Sequence, residues 1–165
     1  MKIKIVAYHD DYHDQVRDLQ LKEPDKQEVE DANGLPYSAT IGFTLENYNP
    51  SMYLILYEDT VSGIFGVVPT RLEGEGVGYL LTDDRLQYYK KDVAQYSEDV
   101  LISLLENYDI IMNYVSSKHT VSVRWLKRLG AHFDKKTYLL SNREVPFFKF
   151  EFRKEDYYDK QNERA

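Results

Sequence analysis

The sequence predicts an α/β fold, with a central mixed sheet of about seven strands flanked by helices. Three observations carry this. Apolar or alternating runs of strand length recur along the whole chain. Between two of them lies one long amphipathic stretch, Leu86, Tyr89, Val93, Tyr96, Val100 and Leu104, at helical spacing. After a second, shorter helix the chain closes on two consecutive strand-like runs. The 165 residues suit a single domain with a sizeable core.

Lys2 to Ala7 alternates lysine and isoleucine and predicts a first strand. Tyr12, Val16 and Leu19 predict a weak helix between His9 and Leu21. The charged run from Lys22 to Asp31 around Pro24 predicts a solvated helix or turn, and Asn33-Gly34 with Pro36 a turn. A short helix follows over Ser38 to Asn47. Met52 to Tyr57 and Gly63 to Val68 read as a hairpin deep in the sheet. Glu73-Gly74-Glu75-Gly76 is a turn, and Val77 to Leu81 the next strand. Thr82-Asp83-Asp84 predicts the start of the longest helix, because a Thr or Asp oxygen accepts free amide hydrogens there. Asp109 to Val115 predicts a buried strand. Thr120 to Leu129 predicts a helix with Val121, Trp125 and Leu129 on its core side, stopped by Gly130. His132 to Leu140 and Val145 to Phe152 are the last strands, with Phe148, Phe150 and Phe152 on one face. From Glu155 on the chain is polar and expected to fray.

The charge balance excludes several classes. Twenty-one basic against 28 acidic residues give a net charge of −7, which repels nucleic acid and anionic membrane. There is no cysteine, which excludes disulfides, thiolate metal sites and cysteine nucleophiles. No apolar run approaches the roughly 18 residues of a membrane span, and the first residues are too alternating for a signal peptide. Fifteen tyrosines are the unusual feature, since tyrosine joins apolar area to a polar tip and suits interfaces.

The order strand, helices, three strands, long helix, strand, helix, two strands resembles the acetyltransferase fold called GNAT. Particular segments resemble something narrower. Ile64-Phe65-Gly66-Val67-Val68-Pro69, Val77 to Asp83, Asn113-Tyr114-Val115, Arg124 to Gly130 and Val145 to Glu151 are similar to the internal virion protein A-like family of T7-like short-tailed phages. The resemblance spans roughly residues 10 to 153. It implies one GNAT-like domain over residues 1–155 with a polar tail over 156–165. It implies a virion-associated or morphogenesis role, other phage structural proteins as partners, and a place in the virion or in the host cytoplasm during assembly. GNAT-like members are often labelled acetyltransferases by fold alone, and fold does not establish chemistry.

The alternative is therefore an N-acetyltransferase using acetyl-CoA with an atypical pyrophosphate loop. In a working enzyme of this fold, the resemblance implies, the pyrophosphate rests on amides at the head of the long helix. Close approach of backbone to phosphate usually takes glycine. Here the candidate cradle is Leu81, Thr82, Asp83, Asp84 and Arg85, which holds no glycine and puts two carboxylates where phosphates belong. The fold also implies a tyrosine acid four residues before the glycine that ends the last helix. That position is Leu126, which has no proton to give. Glu46, Glu58 and His119 are candidate bases that no motif places. The expected reading is no catalytic residue and no cofactor.

Three more clusters read as ordinary structure. Glu73 to Gly78 lacks the spacing and the Lys-Ser/Thr of phosphate loops. His9 and His13, four apart among acids, suit a helix start, and no metal is expected. Lys118, His119, Arg124, Lys127 and Arg128 form a basic patch. It is expected to meet protein rather than nucleic acid. With Tyr88, Tyr157 and Tyr158, which lie off the apolar stripes, Lys118, Arg124, Lys127 and Arg128 are the candidate partner-binding residues.

Overall fold

Period-two alternation builds the sheet. The strands are β1 (Ile3–Ala7), β2 (Met52–Tyr57), β3 (Thr60–Pro69), β4 (Glu75–Thr82), β5 (Ile110–Ser116), β6 (His132–Leu139) and β7 (Pro146–Arg153). In the computed structural model, which describes residues 2–157 apart from the side chains of Tyr88 and Lys90, they form one sheet. Its order is β1-β2-β3-β4-β5-β7-β6. Every neighbouring pair is antiparallel except β4 and β5, which run parallel. A parallel pair needs a crossover. The helix α4 (Lys90–Leu104) lies between them in sequence and supplies it.

Each face of the sheet takes its own helices. On one face, α1 (His13–Arg17) and α3 (Tyr37–Tyr48) bury Val16, Ile41 and Leu45 against Met52, Leu54, Leu56 and Ile64. On the other, α4 and the turn before it cover Ile55, Phe65 and Leu80 with Leu86, Val93 and Val100. Beside α4, helix α5 (Thr120–Leu129) packs Leu126, Trp125 and Leu129 onto Ile111, Val115, Phe150 and Phe152. Phe148, Phe150 and Phe152 do share a face, in register with Val115, Asn113 and Ile111 of β5. Gly130 ends α5 with φ +99°, a left-handed conformation that favours glycine.

Several elements depart from the sequence reading. The first helix is shorter: a 3-10 turn at Asp10–Tyr12 precedes α1. Leu19 and Leu21 then leave the helix and are buried. The long helix does not begin at Thr82. A 3-10 segment, Asp84–Tyr89, intervenes. Asp83 Oδ1 accepts the Arg85 N–H at 2.9 Å, and the Arg85 guanidinium reaches back to Thr60 Oγ1 and the Val61 carbonyl, both at 2.6 Å. This fastens the turn to β3 and seats Leu86 in the core. On α5, Val121 is 61% exposed rather than core, Trp125 is half-buried, and Leu126 is the buried member.

The chain end also differs. Residues 156 and 157 belong to the folded body rather than to a tail. Asp156 pairs with His132 at 2.6 Å. Tyr157 is 3% exposed and donates its hydroxyl to the Leu129 carbonyl. Edge strand β6 slips register between Phe133 and Thr137, leaving Asp134, Lys135 and Lys136 exposed there. Bulges and lysines on an edge discourage pairing with another sheet.

Candidate functional site: the crevice between β4 and β5

In open α/β sheets ligands bind beyond the carboxyl ends of the strands, where neighbours part. Here that place lies between β4 and β5. The two strands pair only from Glu75 to Val77 against Ile110 to Met112. One step further the Asn113 side chain bridges the widening gap, donating from Nδ2 to the Gly78 carbonyl at 2.6 Å. Beyond it the strand ends, Thr82 and Ser116, have no partner strand on their facing sides.

Helix α2 (Glu23–Asn33) fills the opening with its carboxylates. Its sequence is almost wholly polar, so the expectation of a solvated segment was natural. Instead Asp25 and Asp31 are 6% and 4% exposed. Asp25 Oδ2 accepts the Thr82 N–H at 3.0 Å, and its Oδ1 contacts His119 Nε2 at 3.1 Å and Lys22 Nζ at 3.7 Å. Glu28 Oε1 accepts the Ser116 N–H at 3.1 Å, and its Oε2 lies 3.8 Å from His119 Nε2. At the far end of α2, Ser141 Oγ donates to the Asp31 carbonyl at 2.6 Å, while Arg143 lies 3.6 Å from the Asp31 carboxylate. One polar helix therefore bridges the ends of β4 and β5 and the loop between β6 and β7. Burial pushes the Glu28 carboxyl up to about 7, against the opposing effects of His119 and the Ser116 amide.

The cluster contains Ser122, His119 and Asp25, but not as a nucleophilic triad. Ser122 Oγ and Asp25 Oδ1 both lie 3.1 Å from the same ring nitrogen, Nε2. A triad needs the hydroxyl on one nitrogen and the orienting carboxylate on the other, so that the proton taken from one side is balanced from the other. His119 was a candidate base; it is 7% exposed and serves as a link between helices. Glu46 is exposed on α3, and Glu58 pairs with Lys2 at 3.4 Å in the β2–β3 turn. Neither approaches the crevice through any contact. Leu126 is buried at 6% exposure.

The acyl-CoA cofactor that the fold implies is poorly served here. It would need free amide hydrogens at the head of the segment after β4 and open strand ends in the crevice. The Arg85 N–H is held by Asp83, the Thr82 N–H by Asp25 and the Ser116 N–H by Glu28. The Arg85 guanidinium is spent on Asp83, Thr60 and Val61. Asp83 also accepts from Ser62 Oγ at 2.5 Å, and Asp84 is exposed. The residues present do not fit the cofactor.

The other candidates are scattered. His9 Nδ1 accepts the Asp11 N–H and His13 Nδ1 meets Tyr8 Oη, so the two rings do not converge. No metal-ligating group of three or more side chains occurs among the described residues. No helix among them is long and apolar enough to cross a membrane. Lys118, Arg124, Lys127 and Arg128 are exposed together along α5 and its approach. Tyr157, expected at the surface, is in the core beneath Leu129 and Gly130. Tyr158 and the Tyr88 side chain lie outside the described residues. The α2 carboxylates were missed. The only signal was an Asp and a Glu three apart, with Asp31 six from the first, on one side of a helix that has a single aliphatic residue besides Ala32.

The sequence profile of a family described as "Bacteriophage T7, probable scaffold protein Gp13" matches residues 72–138, from just before β4 into β6. No curated protein matches. Among solved structures, a GNAT-family acetyltransferase from Bacillus anthracis superposes with a TM-score of 0.67 at 13% identity, covering 94% of this chain and 96% of that one. Ard1 from Thermoplasma volcanium gives 0.68 at 12% identity, over 93% and 98%. The spermidine N-acetyltransferase from Vibrio cholerae, solved with CoA and spermine, gives 0.63 at 8%, over 94% and 98%. At such identities the likeness shows the fold: this chain is GNAT-like, with a seven-stranded mixed sheet flanked by helices.

Proposed function

We propose that this chain is a phage morphogenesis protein that acts by binding other phage structural proteins and uses a GNAT-like fold as a frame, without catalysis. The observation that carries the reading is the closure of the β4–β5 crevice by Asp25 and Glu28. The profile match over residues 72–138 supports a role in assembling the phage particle. The narrower resemblance, to the internal virion protein A-like family, fits the segments Arg124 to Gly130 and Val145 to Glu151. On this reading the protein works in the host cytoplasm during assembly or in the virion. It needs neither nucleic acid, membrane, metal nor cofactor.

Two measurements test it together. Calorimetry with acetyl-CoA is expected to show no binding at physiological concentration. A micromolar dissociation constant, with thiol release from acetyl-CoA above background, would establish the N-acetyltransferase reading instead. A phage lacking the gene is expected to give defective particles, rescued by the intact protein and by the conservative versions Asp83→Asn, Asp84→Asn and Leu126→Met, the last because a volume-conserving swap keeps the core. Normal particle composition and infectivity without the gene would end the assembly role.

A further inference from the structure

Positive charge in this acidic chain is concentrated in one stretch. Residues 118–154 carry ten Lys or Arg against three Asp or Glu, although the whole chain is at −7. Most other arginines among the described residues, in that stretch and outside it, are neutralised: Arg17 by Asp14 and Asp18, Arg85 by Asp83, Arg143 by Asp31 and Arg153 by Glu151. Arg124 and Arg128 are exposed, and neither has a carboxylate within 4 Å among the described residues. They lie four apart on α5. Val121, three residues before Arg124 and 61% exposed, continues the same line, so the stripe is charged and apolar at once. Half-buried Trp125 borders it, and Lys118 stands exposed at its head. Arginine and tryptophan, with tyrosine, are the side chains enriched at the energetic centres of protein interfaces.

We infer that the α5 stripe of Lys118, Val121, Arg124, Trp125 and Arg128 docks an acidic segment of another protein, one that carries a large apolar side chain to meet Val121 and Trp125. The inference rests on the assembly reading above and names the chemistry of the partner. Length favours a protein segment over nucleic acid. From Val121 to Arg128 the stripe runs seven residues, about 10 Å of helix. A duplex carries a charge about every 1.7 Å and extends far beyond that. It would run onto the acidic remainder of the chain, which includes Asp92 and Asp99 on neighbouring α4. A short acidic segment can stay within the stripe.

Trp125 is the only tryptophan, so its emission reports the stripe directly. The probe is a synthetic eight-residue peptide of Glu, Ala and Leu, about 12 Å long where helical and so matched to the stripe, titrated in low salt. The expected result is a saturable change in Trp125 emission, weakened at least tenfold by the double change R124E and R128E, by Val121→Glu, and by a probe with Ser for Leu. All three positions are exposed, and an unchanged thermal midpoint shows that the variants fold. Absence of an emission change, equal binding of the Leu-free probe, or tighter binding of an 18-nucleotide thymidine oligomer would each overturn the inference, the last in favour of nucleic acid. In phage, normal particles from the R124E and R128E variant, where gene deletion fails, would refute the stripe and leave the assembly role standing. Harmless deletion would refute the role, and the titration would still decide the stripe.

Discussion

Asp25 Oδ2 accepts the backbone N–H of Thr82 at 3.0 Å across 57 residues of sequence, and both residues are buried. A carboxylate from a polar helix thus takes the place of a neighbouring strand at the end of β4. The contact holds α2 on the sheet where apolar packing does not: Val29 is its one residue packed against a hydrophobic cluster.

Removing this carboxylate should be costly. Asp25→Ala leaves the buried Thr82 amide without its acceptor and takes from the His119 ring its carboxylate contact at 3.1 Å. The expected loss is about 3 kcal/mol. A lowered urea midpoint at unchanged slope would measure it. A change below about 0.5 kcal/mol, the scale of neutral surface substitutions, would mean that water replaces the contact.

Glu28 should make stability depend on pH in an unusual direction. Its folded value, about 7, lies above the ordinary 4.5. The folded protein therefore binds this proton more tightly than the unfolded chain. The stabilisation is complete below the ordinary value and is lost as pH rises through about 7. Between pH 5 and 8 the intact protein should lose on the order of 3 kcal/mol that Glu28→Gln does not lose. Parallel stability curves for the two proteins would contradict this.

Burial separates two aromatic residues. Phe147 is 0% exposed, so Phe147→Ala should cost about 3–5 kcal/mol. Trp125 is half-buried, and Trp125→Ala should cost clearly less, about 2 kcal/mol. Denaturant titrations rank the pair, and the reverse order would show that Trp125 is the deeper side chain.

Tyr157 should behave as a core residue despite its place near the chain end. Tyr157→Phe removes the hydroxyl that donates to the Leu129 carbonyl and should cost about 1 kcal/mol. Tyr157→Ala also empties a packed volume under α5 and should cost about 3 kcal/mol. Thermal midpoints equal to the unchanged protein in both variants would place the ring outside the core.

Much of the frame was legible from local pattern. Strand β5, and helix α5 with its stop at Gly130, follow from periodicity and capping rules that act over a few residues. Asp83 was likewise readable as a cap, because an acid before a helical turn has a local use. Boundaries failed where a distant group decides them: Arg85 reaching β3 holds the turn before α4 in 3-10 form, and Tyr157 is drawn in by the apolar end of α5.

By itself the sequence determined the sheet, its helices and the basic stretch of residues 118–154, since hydrophobic period and charge are properties of neighbours in the chain. Only the tertiary structure decided what α2 does. A helix rich in Asp and Glu looks the same whether it faces water or two parting strands. Asp25 and Glu28 become buried ligands of the Thr82 and Ser116 amides only once β4 and β5 diverge and leave those amides unpaired. A buried amide without an acceptor is costly, and those two carboxylates supply the acceptors that no neighbouring strand offers there.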